Sequence, residues 1–196
     1  MNKIIRFINA RILKKWGNTG IKRLIWNKEF SSGQWDYIDN TSDDVIYQYI
    51  EKYAKNGNIL DLGCGAGNTG NELNCSVYEK YIGVDVSGEA IEKAKLRTKL
   101  NNRAEKNEYF SEDMSKFVPD KKYDLILFRE SIYYFKQKKV GELLKRYSSY
   151  LKKNGVFIVS IAHSDKHRSI FHLIEKEFFV LEKYFDNVRG TITVFK

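Results

Sequence analysis

The chain has 196 residues, 42% of them hydrophobic, and a net charge of +9. This length suits one domain with its own core, and the hydrophobic content excludes an intrinsically disordered chain. Residues 1–30 carry a net charge of +7, whereas the other 166 residues carry only +2. The positive charge therefore belongs to an N-terminal arm, and a nucleic-acid-binding surface on the rest of the chain is not expected.

Cysteine content and hydropathy indicate the compartment in which the protein works. Only Cys64 and Cys75 are present, without metal-ligand spacing, which favours a reducing compartment such as the cytoplasm. No apolar run approaches the roughly 18 residues that span a bilayer. Charges interrupt the apolar residues near the N-terminus, and no small-residue cleavage site follows them, so a signal peptide is not expected.

Residues 1–16 are predicted to form an amphipathic helix that ends at the glycines 17 and 20. Its apolar stripe comprises Ile4, Ile5, Ile8, Ile12 and Trp16. Two roles stay open. In the first, residues 1–26 lie on the inner face of an anionic membrane. In the second, the helix packs on the domain or caps an active site. We assign residues 1–40 to the arm and a lid, and residues 41–196 to the main domain.

After residue 40, helix and strand patterns alternate along the chain. Apolar runs predict strands over 58–62, 81–85, 107–111, 123–128 and 156–162, and periodicity predicts helices over 45–55, 88–100, 140–151 and 167–178. Ser87 is expected to cap the second of these helices, and Gly57 to end the first. Residues 179–184 and 191–195 predict a closing antiparallel hairpin. The whole pattern predicts an α/β fold with a doubly wound, mainly parallel sheet.

The segment from residue 58 to residue 70 is predicted to hold a ligand. An apolar strand carrying Asp61 runs into glycines at 63, 65, 67 and 70. Glycines allow a tight turn on which a ligand can lie, and the amides of the next helix point at that ligand. The run from Gly65 fits the dehydrogenase spacing G-x-G-x-x-G, but it leaves out Gly63, and a carboxylate does not suit a pyrophosphate. A cationic ammonium or sulfonium ligand suits it better.

Asp61-Leu-Gly-Cys-Gly-Ala-Gly67 resembles the first motif of class I S-adenosylmethionine-dependent methyltransferases, acid-x-G-x-G-x-G. The resemblance implies a Rossmann-like seven-stranded sheet and the cofactor S-adenosyl-L-methionine. It also implies that the cofactor is bound by these residues of the motif: Asp61, Gly63, Gly65 and Gly67.

Further positions match the family in the expected order. The resemblance assigns the ribose to Asp85, followed by Val86, and adenine to Asp113 and Met114. The segment 123–135 is similar to small-molecule members such as nodulation-type sugar N-methyltransferases, and its Arg129 is assigned to the cofactor as well.

The acceptor is expected beside strands four and five. Glu130 is the first candidate for the general base that a hydroxyl acceptor needs, and His163 is the second; an amine only has to arrive neutral. The resemblance places a lid at residues 34–37, so Trp35 and Tyr37 are expected to contact the substrate, as is Tyr133. His163 and His167 are four residues apart, but no third ligand accompanies them at metal-binding spacing, so no metal is expected.

The sequence therefore predicts methyl transfer to a hydroxyl or amine of a small polar acceptor. A sugar or surface glycan is favoured, because residues 33–37 resemble segments of polysaccharide-associated methyltransferases. An RNA or other non-glycan acceptor, a donor-binding protein without turnover and a nicotinamide dehydrogenase remain alternatives. Nucleobase-amine methyltransferases usually carry a Pro-Pro motif after strand four, where residues 128–131 have no proline. Deletion of residues 1–26 is expected to leave donor affinity intact.

Overall fold

A computed structural model of the chain describes residue 10 and the ranges 12–38, 40–187 and 189–196. Residues 4, 5 and 8 of the predicted apolar stripe lie outside these ranges. A seven-stranded sheet forms the centre of the fold. Its strands are β1 (Gly57–Leu62), β2 (Tyr78–Asp85), β3 (Asn107–Ser111), β4 (Tyr123–Arg129), β5 (Leu151–Ile161), β6 (Val180–Asp186) and β7 (Gly190–Phe195).

The strand order is β3-β2-β1-β4-β5-β7-β6. Neighbours among the first five strands pair in parallel, and β7 pairs antiparallel with both β5 and β6. This arrangement confirms the predicted α/β class and its closing hairpin. The strand order reverses between β1 and β4, because β2 and β3 are added on one side of β1, and β4 and β5 on the other. Such a switch point is where open α/β sheets bind ligands.

Six α-helices accompany the sheet in the described part of the chain. They are α1 (Thr19–Ser31), α2 (Ile46–Ala54), α3 (Asn68–Glu72), α4 (Gly88–Leu100), α5 (Gln137–Ser148) and α6 (Arg168–Glu177). Residues 12–16 are also helical. Within the described ranges, no helix combines the length and apolarity that crossing a membrane requires.

Both faces of the sheet are buried, which explains the continuous apolar runs of its central strands. Ile59 and Leu125 pack with residues of α2 and α4 on one face. Leu60 and Ile126 pack with residues of α5 and α6 on the other. The central strands are thereby fixed, and the loops at their carboxyl ends start from rigid positions.

The end of α2 differs from the prediction. Lys55 adopts the left-handed conformation with φ of 50°, and Gly57 is the first residue of β1, so the expectation that Gly57 caps the helix is wrong. A Cβ on Gly57 would lie 2.0 Å from the Asp124 carboxylate. That carboxylate accepts a 2.7 Å hydrogen bond from the Asn58 amide. The glycine therefore allows Asp124 to approach the backbone closely.

Candidate active site

A cavity of about 360 Å³ lies at the carboxyl ends of the central strands. This volume falls within the range of about 300–1,000 Å³ that is usual for small-molecule sites. The turn after β1 and the ends of β2, β4 and β5 form its floor and walls. Side chains of the N-terminal arm complete it: Lys14, Lys22, Trp26, Phe30 and Trp35.

The turn between β1 and α3 brings the main chain to the cavity surface. Gly63 has φ of +90°, and a Cβ there would lie 2.3 Å from the Ser131 Cβ. Gly67 has φ of +75°, and a Cβ there would lie 2.7 Å from the Ala94 Cβ. Gly65, between them, also has a positive φ, of +54°. These conformations explain why the sequence has glycine at these positions.

Asp61 has a buried carboxylate oxygen with no protein partner in the described structure. Its side chain is 1% exposed. Oδ2 accepts a short hydrogen bond from the Tyr81 hydroxyl, whereas Oδ1 has no hydrogen-bond partner. Burial raises the pKa of Asp61 to about 7, against the opposing effects of the Tyr81 hydrogen bond and the Arg129 charge. An unsatisfied buried oxygen costs about 1–3 kcal/mol, so Oδ1 marks a place for a donor group of a ligand.

Asp85 lies at the end of β2 and orders the glycine turn. Its Oδ2 accepts a 3.0 Å hydrogen bond from the Gly65 amide, and its Oδ1 accepts one of 2.8 Å from the Ser87 amide. Burial raises the pKa of Asp85 to about 6. Asp85 and the adjacent Val86 both line the cavity. Each carboxylate oxygen keeps a further lone pair, so two ligand hydroxyls could be accepted here.

Asp113 and Met114 line the cavity beyond β3. The Asp113 carboxylate accepts 2.8 Å hydrogen bonds from the Ser115 amide and the Thr19 hydroxyl. Burial raises the pKa of Asp113, but the hydrogen bonds from Ser115 and Thr19 and the charge of Lys22 outweigh it, so the pKa is lowered. Asp113 is therefore a charged acceptor at neutral pH.

Helix α1 packs on this part of the cavity through three polar side chains. Thr19 bonds to Asp113, Arg23 Nε donates to the Val86 carbonyl at 3.2 Å, and Asn27 Oδ1 accepts from the Ser87 hydroxyl at 2.8 Å. All three reach segments that follow β2 or β3. In the described part of the arm, α1 therefore packs on the main domain beside the cavity.

The predicted apolar stripe does not make this packing. Ile12 and Trp16 are 51% and 63% exposed. In the helical segment 12–16, Lys14 is the buried side chain instead. Helical periodicity predicts which residues share a face, but not which face packs on the domain. Here the packing face is the one that carries the Lys14 ammonium group.

Arg129 lines the cavity but donates to three protein groups. Its guanidinium lies 2.8 Å from Asp44 and 3.1 Å from the Tyr47 hydroxyl, and a third bond of 3.3 Å reaches Thr69. Burial would lower its pKa, but Tyr47 and Asp44 outweigh burial and raise it. No local sequence signal pairs Asp44 with a side chain 85 positions away, so this contact is visible only in the structure.

Glu130 directly follows β4 and has a strained backbone conformation, with φ of +52°. Its Oε1 accepts a 2.6 Å hydrogen bond from the Ala162 amide, and its Oε2 accepts one of 3.2 Å from the Tyr133 hydroxyl. Burial raises the pKa of Glu130, although these hydrogen bonds and the Arg129 charge oppose it. Glu130 and Tyr133 both line the cavity, so the structure brings the first base candidate beside the glycine turn.

The second base candidate lies elsewhere. His163 is exposed and is not among the residues that line the cavity. His167 stacks on Tyr133 with ring centroids 4.6 Å apart, a contact that the sequence did not indicate. Within the described ranges, no group of three His, Cys, Asp or Glu residues could hold a metal ion.

The aromatic residues of the arm divide between the cavity and the surface. Trp35 lines the cavity with Trp26 and Phe30, and its ring centroid lies 5.7 Å from that of Trp26. Tyr37 stacks on Trp35 at 6.1 Å, but it is 76% exposed and lies outside the cavity lining. Sequence reasoning missed Trp26 as a cavity residue, because tertiary packing brings it there.

The chain is similar to known proteins in sequence and in fold. Residues 35–187 match a family described as a methyltransferase domain. The ubiquinone biosynthesis O-methyltransferase of Pelagibacter ubique is 29% identical over 140 residues, which are 71% of this chain and 56% of that protein. A malonyl-[acyl-carrier protein] O-methyltransferase of Ilyobacter polytropus is 31% identical over 145 residues, 71% of this chain and 54% of that protein. The chain thus spans about half the length of these curated relatives.

A solved structure shares the fold. The N-methyltransferase NodS of Bradyrhizobium japonicum, crystallised with S-adenosyl-L-homocysteine, superposes with a TM-score of 0.70 at 16% identity, over 88% of this chain and 96% of that one.

The residues present fit the cofactor of this family. Asp61 Oδ1 is a buried acceptor without a protein partner, the positive-φ glycines open the main chain, and Asp85 retains free acceptor capacity. A ligand with an ammonium group, ribose hydroxyls and a base matches those features in kind. With the family match over residues 35–187, they show that the chain belongs to the class I S-adenosylmethionine-dependent methyltransferases.

Proposed function

We propose that the chain transfers the methyl group of S-adenosylmethionine to a hydroxyl or amine of a small polar acceptor, with a sugar or glycan as the favoured class. The observation that supports this most is the cavity itself. It joins Asp61, Asp85 and Asp113, which are suited to the donor, to Glu130 and a group of aromatic rings suited to an acceptor.

The donor half of the cavity is argued from its acceptors. Asp61 Oδ1 would accept an N–H of the donor's ammonium group, and Asp85 would accept the ribose hydroxyls. Asp113 and the Met114 amide would face adenine, with the Thr19 hydroxyl sharing the Asp113 carboxylate. When bound, S-adenosylmethionine supplies a methyl group already activated by its sulfonium. The protein therefore has to align the acceptor and accept one proton.

The acceptor half combines polar and flat apolar surfaces. Glu130 would take the proton of a hydroxyl acceptor at its carboxylate, and its raised pKa suits a base that works near neutral pH. Trp35 and Tyr133 offer ring faces, while Ser131 and Ser160 add hydroxyls at the same cavity. A sugar presents both C–H faces and hydroxyls, which is why this class is favoured. Tyr37 and His163 stay predictions, since neither lines the cavity.

The test is release of S-adenosylhomocysteine with a panel of acceptors: neutral sugars, amino sugars, a quinol and a short RNA. We expect turnover with a sugar. Turnover with RNA alone, or with the quinol alone, would overturn the sugar proposal while leaving methyl transfer intact. No turnover with any acceptor, despite donor binding, would favour a donor-binding protein without catalysis.

Donor affinity should depend on pH. Asp61 is charged above its raised pKa of about 7 and neutral below it, and only the charged form attracts an ammonium group. The dissociation constant for S-adenosylhomocysteine should therefore rise as pH falls from about 8 to 6, by up to about tenfold per pH unit below the pKa. Calorimetric titrations measure this. Asp61→Asn should remove the dependence between pH 8 and 7 and leave only the part near pH 6 that belongs to Asp85, whose pKa is raised to about 6. A wild-type constant that does not change over this window would contradict the assignment.

Removal of the arm should weaken donor binding. The sequence alone suggests that deleting residues 1–26 leaves donor affinity intact, whereas the contacts of the arm with the cavity lead us to expect a loss. Thr19 bonds to Asp113, and Lys22 and Trp26 line the cavity. We expect the deletion to raise the dissociation constant at least about tenfold, because it removes a wall and a hydrogen-bond partner. Deletion of residues 1–9 is the control, and equal loss in both deletions would contradict the role of α1.

Contact of residues 1–26 with an anionic membrane is a separate proposal. The support is the arm's charge of +7 over residues 1–30 and the exposure of Ile12, Leu13 and Trp16. Sedimentation with vesicles containing phosphatidylglycerol at low salt should capture the full chain, and release should follow added salt. If the full chain stays in the supernatant under these conditions, the membrane proposal fails.

A further inference from the structure

Lys14 is buried in a way that is unusual for a lysine. Its residue is 6% exposed, whereas the neighbouring apolar residues Leu13 and Trp16 are 40% and 63% exposed. Lysine is almost never fully buried unless it is paired. The segment 12–16 is therefore anchored by an ammonium group rather than by its apolar side chains.

The group around this ammonium is built from four side chains, which we call the ammonium cage: Trp26, Trp35, Tyr134 and Glu29. The Lys14 Nζ lies 3.7 Å from the Trp26 ring centroid and 5.6 Å from that of Trp35. Its distance to the Tyr134 ring is 5.9 Å. All three distances are within the range of a cation–π contact.

The carboxylate completes the cage. Glu29 Oε2 lies 2.6 Å from Lys14 Nζ and also accepts a 3.1 Å hydrogen bond from Trp35 Nε1. The rings are held against one another, with Trp26 and Tyr134 edge to face at 5.0 Å. The cage is thus an ordered pocket for a cationic nitrogen, with both the ring faces and the counter-charge in place.

The cage opens into the same cavity as the donor residues. Lys14, Trp26, Trp35 and Tyr134 all line the cavity that contains Asp61 and Glu130. The segment that carries Lys14 ends at Gly17, and α1 begins separately with Asn18 as its cap. A Cβ on Gly17 would lie 2.5 Å from the Leu13 carbonyl oxygen. The glycine thus allows a tight junction between the two helical pieces, and Lys14 is carried by a segment separate from α1.

We propose that the ammonium cage is a binding site for a cationic nitrogen of the acceptor, and that the Lys14 ammonium occupies this site when no acceptor is bound. The identification of the ligand as the acceptor rests on the proposed function, but the existence of the cation site does not. The acceptor is thereby narrowed from any polar molecule to one that carries an ammonium group beside the atom to be methylated. The nitrogen in the cage is held as a cation, so it is a recognition group and not the methylated atom.

The experiment compares choline with its neutral carbon analogue, 3,3-dimethyl-1-butanol, without any donor. Binding is followed by tryptophan fluorescence and by calorimetry in the full chain. In Lys14→Met the dissociation constant of choline should be about tenfold lower than in wild type, because the internal competitor is gone. The dissociation constant of the neutral analogue should be the same in Lys14→Met as in wild type. Lys15→Met, which removes a neighbouring exposed charge, is the matched control and should behave as wild type.

Adding Trp26→Leu to Lys14→Met should abolish the gain for choline, with thermal unfolding to show that the variant is folded. If Lys14→Met does not fold, Lys14→Gln serves instead, and wild type at high choline should still shift its tryptophan emission while the neutral analogue does not. Equal affinity for both probes in every variant, or a choline affinity unchanged by the Lys14 substitution, would show that the cage serves Lys14 alone. Because no donor is present, neither result depends on methyl transfer.

Discussion

Asp61→Asn is expected to raise the dissociation constant of S-adenosylhomocysteine about a hundredfold. The substitution keeps the shape of the side chain but removes the charge that would meet the donor's ammonium group. Loss of one partner of a buried, hydrogen-bonded charge pair costs about 2–5 kcal/mol, and about 2.7 kcal/mol corresponds to a hundredfold change in affinity. Titration calorimetry at pH 8, where wild-type Asp61 is charged, measures this change in the dissociation constant.

Asp124→Asn is the matched control for this prediction. Asp124 also carries a carboxylate held by the protein, since its Oδ2 accepts from the Asn58 amide and from Lys152, but it lies outside the cavity lining. Its substitution should lower stability without a comparable loss of donor affinity. A dissociation constant for Asp61→Asn within about threefold of wild type would contradict the role of Oδ1.

Glu130→Gln is expected to lower kcat with a hydroxyl acceptor by about 10²- to 10⁴-fold, the usual contribution of a general base. The amide oxygen of glutamine can still accept from the Ala162 amide, so the end of β4 should keep its conformation. Donor affinity should change little, because Glu130 acts on the acceptor. The acidic limb of the pH–rate profile should also disappear, since the group that is protonated at low pH is gone. With an amine acceptor the loss should be much smaller.

His163→Ala is compared under the same saturating donor. The exposed position of His163, outside the cavity lining, leads us to expect turnover close to wild type. Loss of turnover in His163→Ala but not in Glu130→Gln would move the base to the histidine. Near-normal turnover in both variants would mean that neither residue is the base.

Local signals gave the fold and the donor half of the cavity. The helix α4 begins after the predicted cap, Ser87, whose hydroxyl accepts from the Ala90 amide. The donor carboxylates stand at strand ends, where the alternation of strands and helices alone brings them to one edge of the sheet. Motif spacing is sufficient there, because each residue is positioned by the strand that precedes it.

The acceptor half could not be read in this way. Lys14, Trp26 and Glu29 belong to an arm whose docking depends on long-range contacts such as Thr19 with Asp113, 94 positions apart. Periodicity places Ile12 and Trp16 on one apolar face, whose role stays open between a membrane surface and packing on the domain. In the structure this face is exposed, and the buried ion pair of Lys14 with Glu29 makes the contact instead. The resemblance assigns Arg129 to the cofactor, and Arg129 does line the cavity, but its hydrogen bonds to Asp44 and Tyr47 are visible only in the fold.

Calorimetric titration of the full chain with S-adenosylmethionine and, separately, with NADH tests most directly whether the cavity binds the methyl donor. We expect saturable binding of S-adenosylmethionine at one site, weakened by Asp61→Asn, and no saturable heat with NADH. Absence of binding to S-adenosylmethionine, or equal binding of NADH, would contradict this expectation.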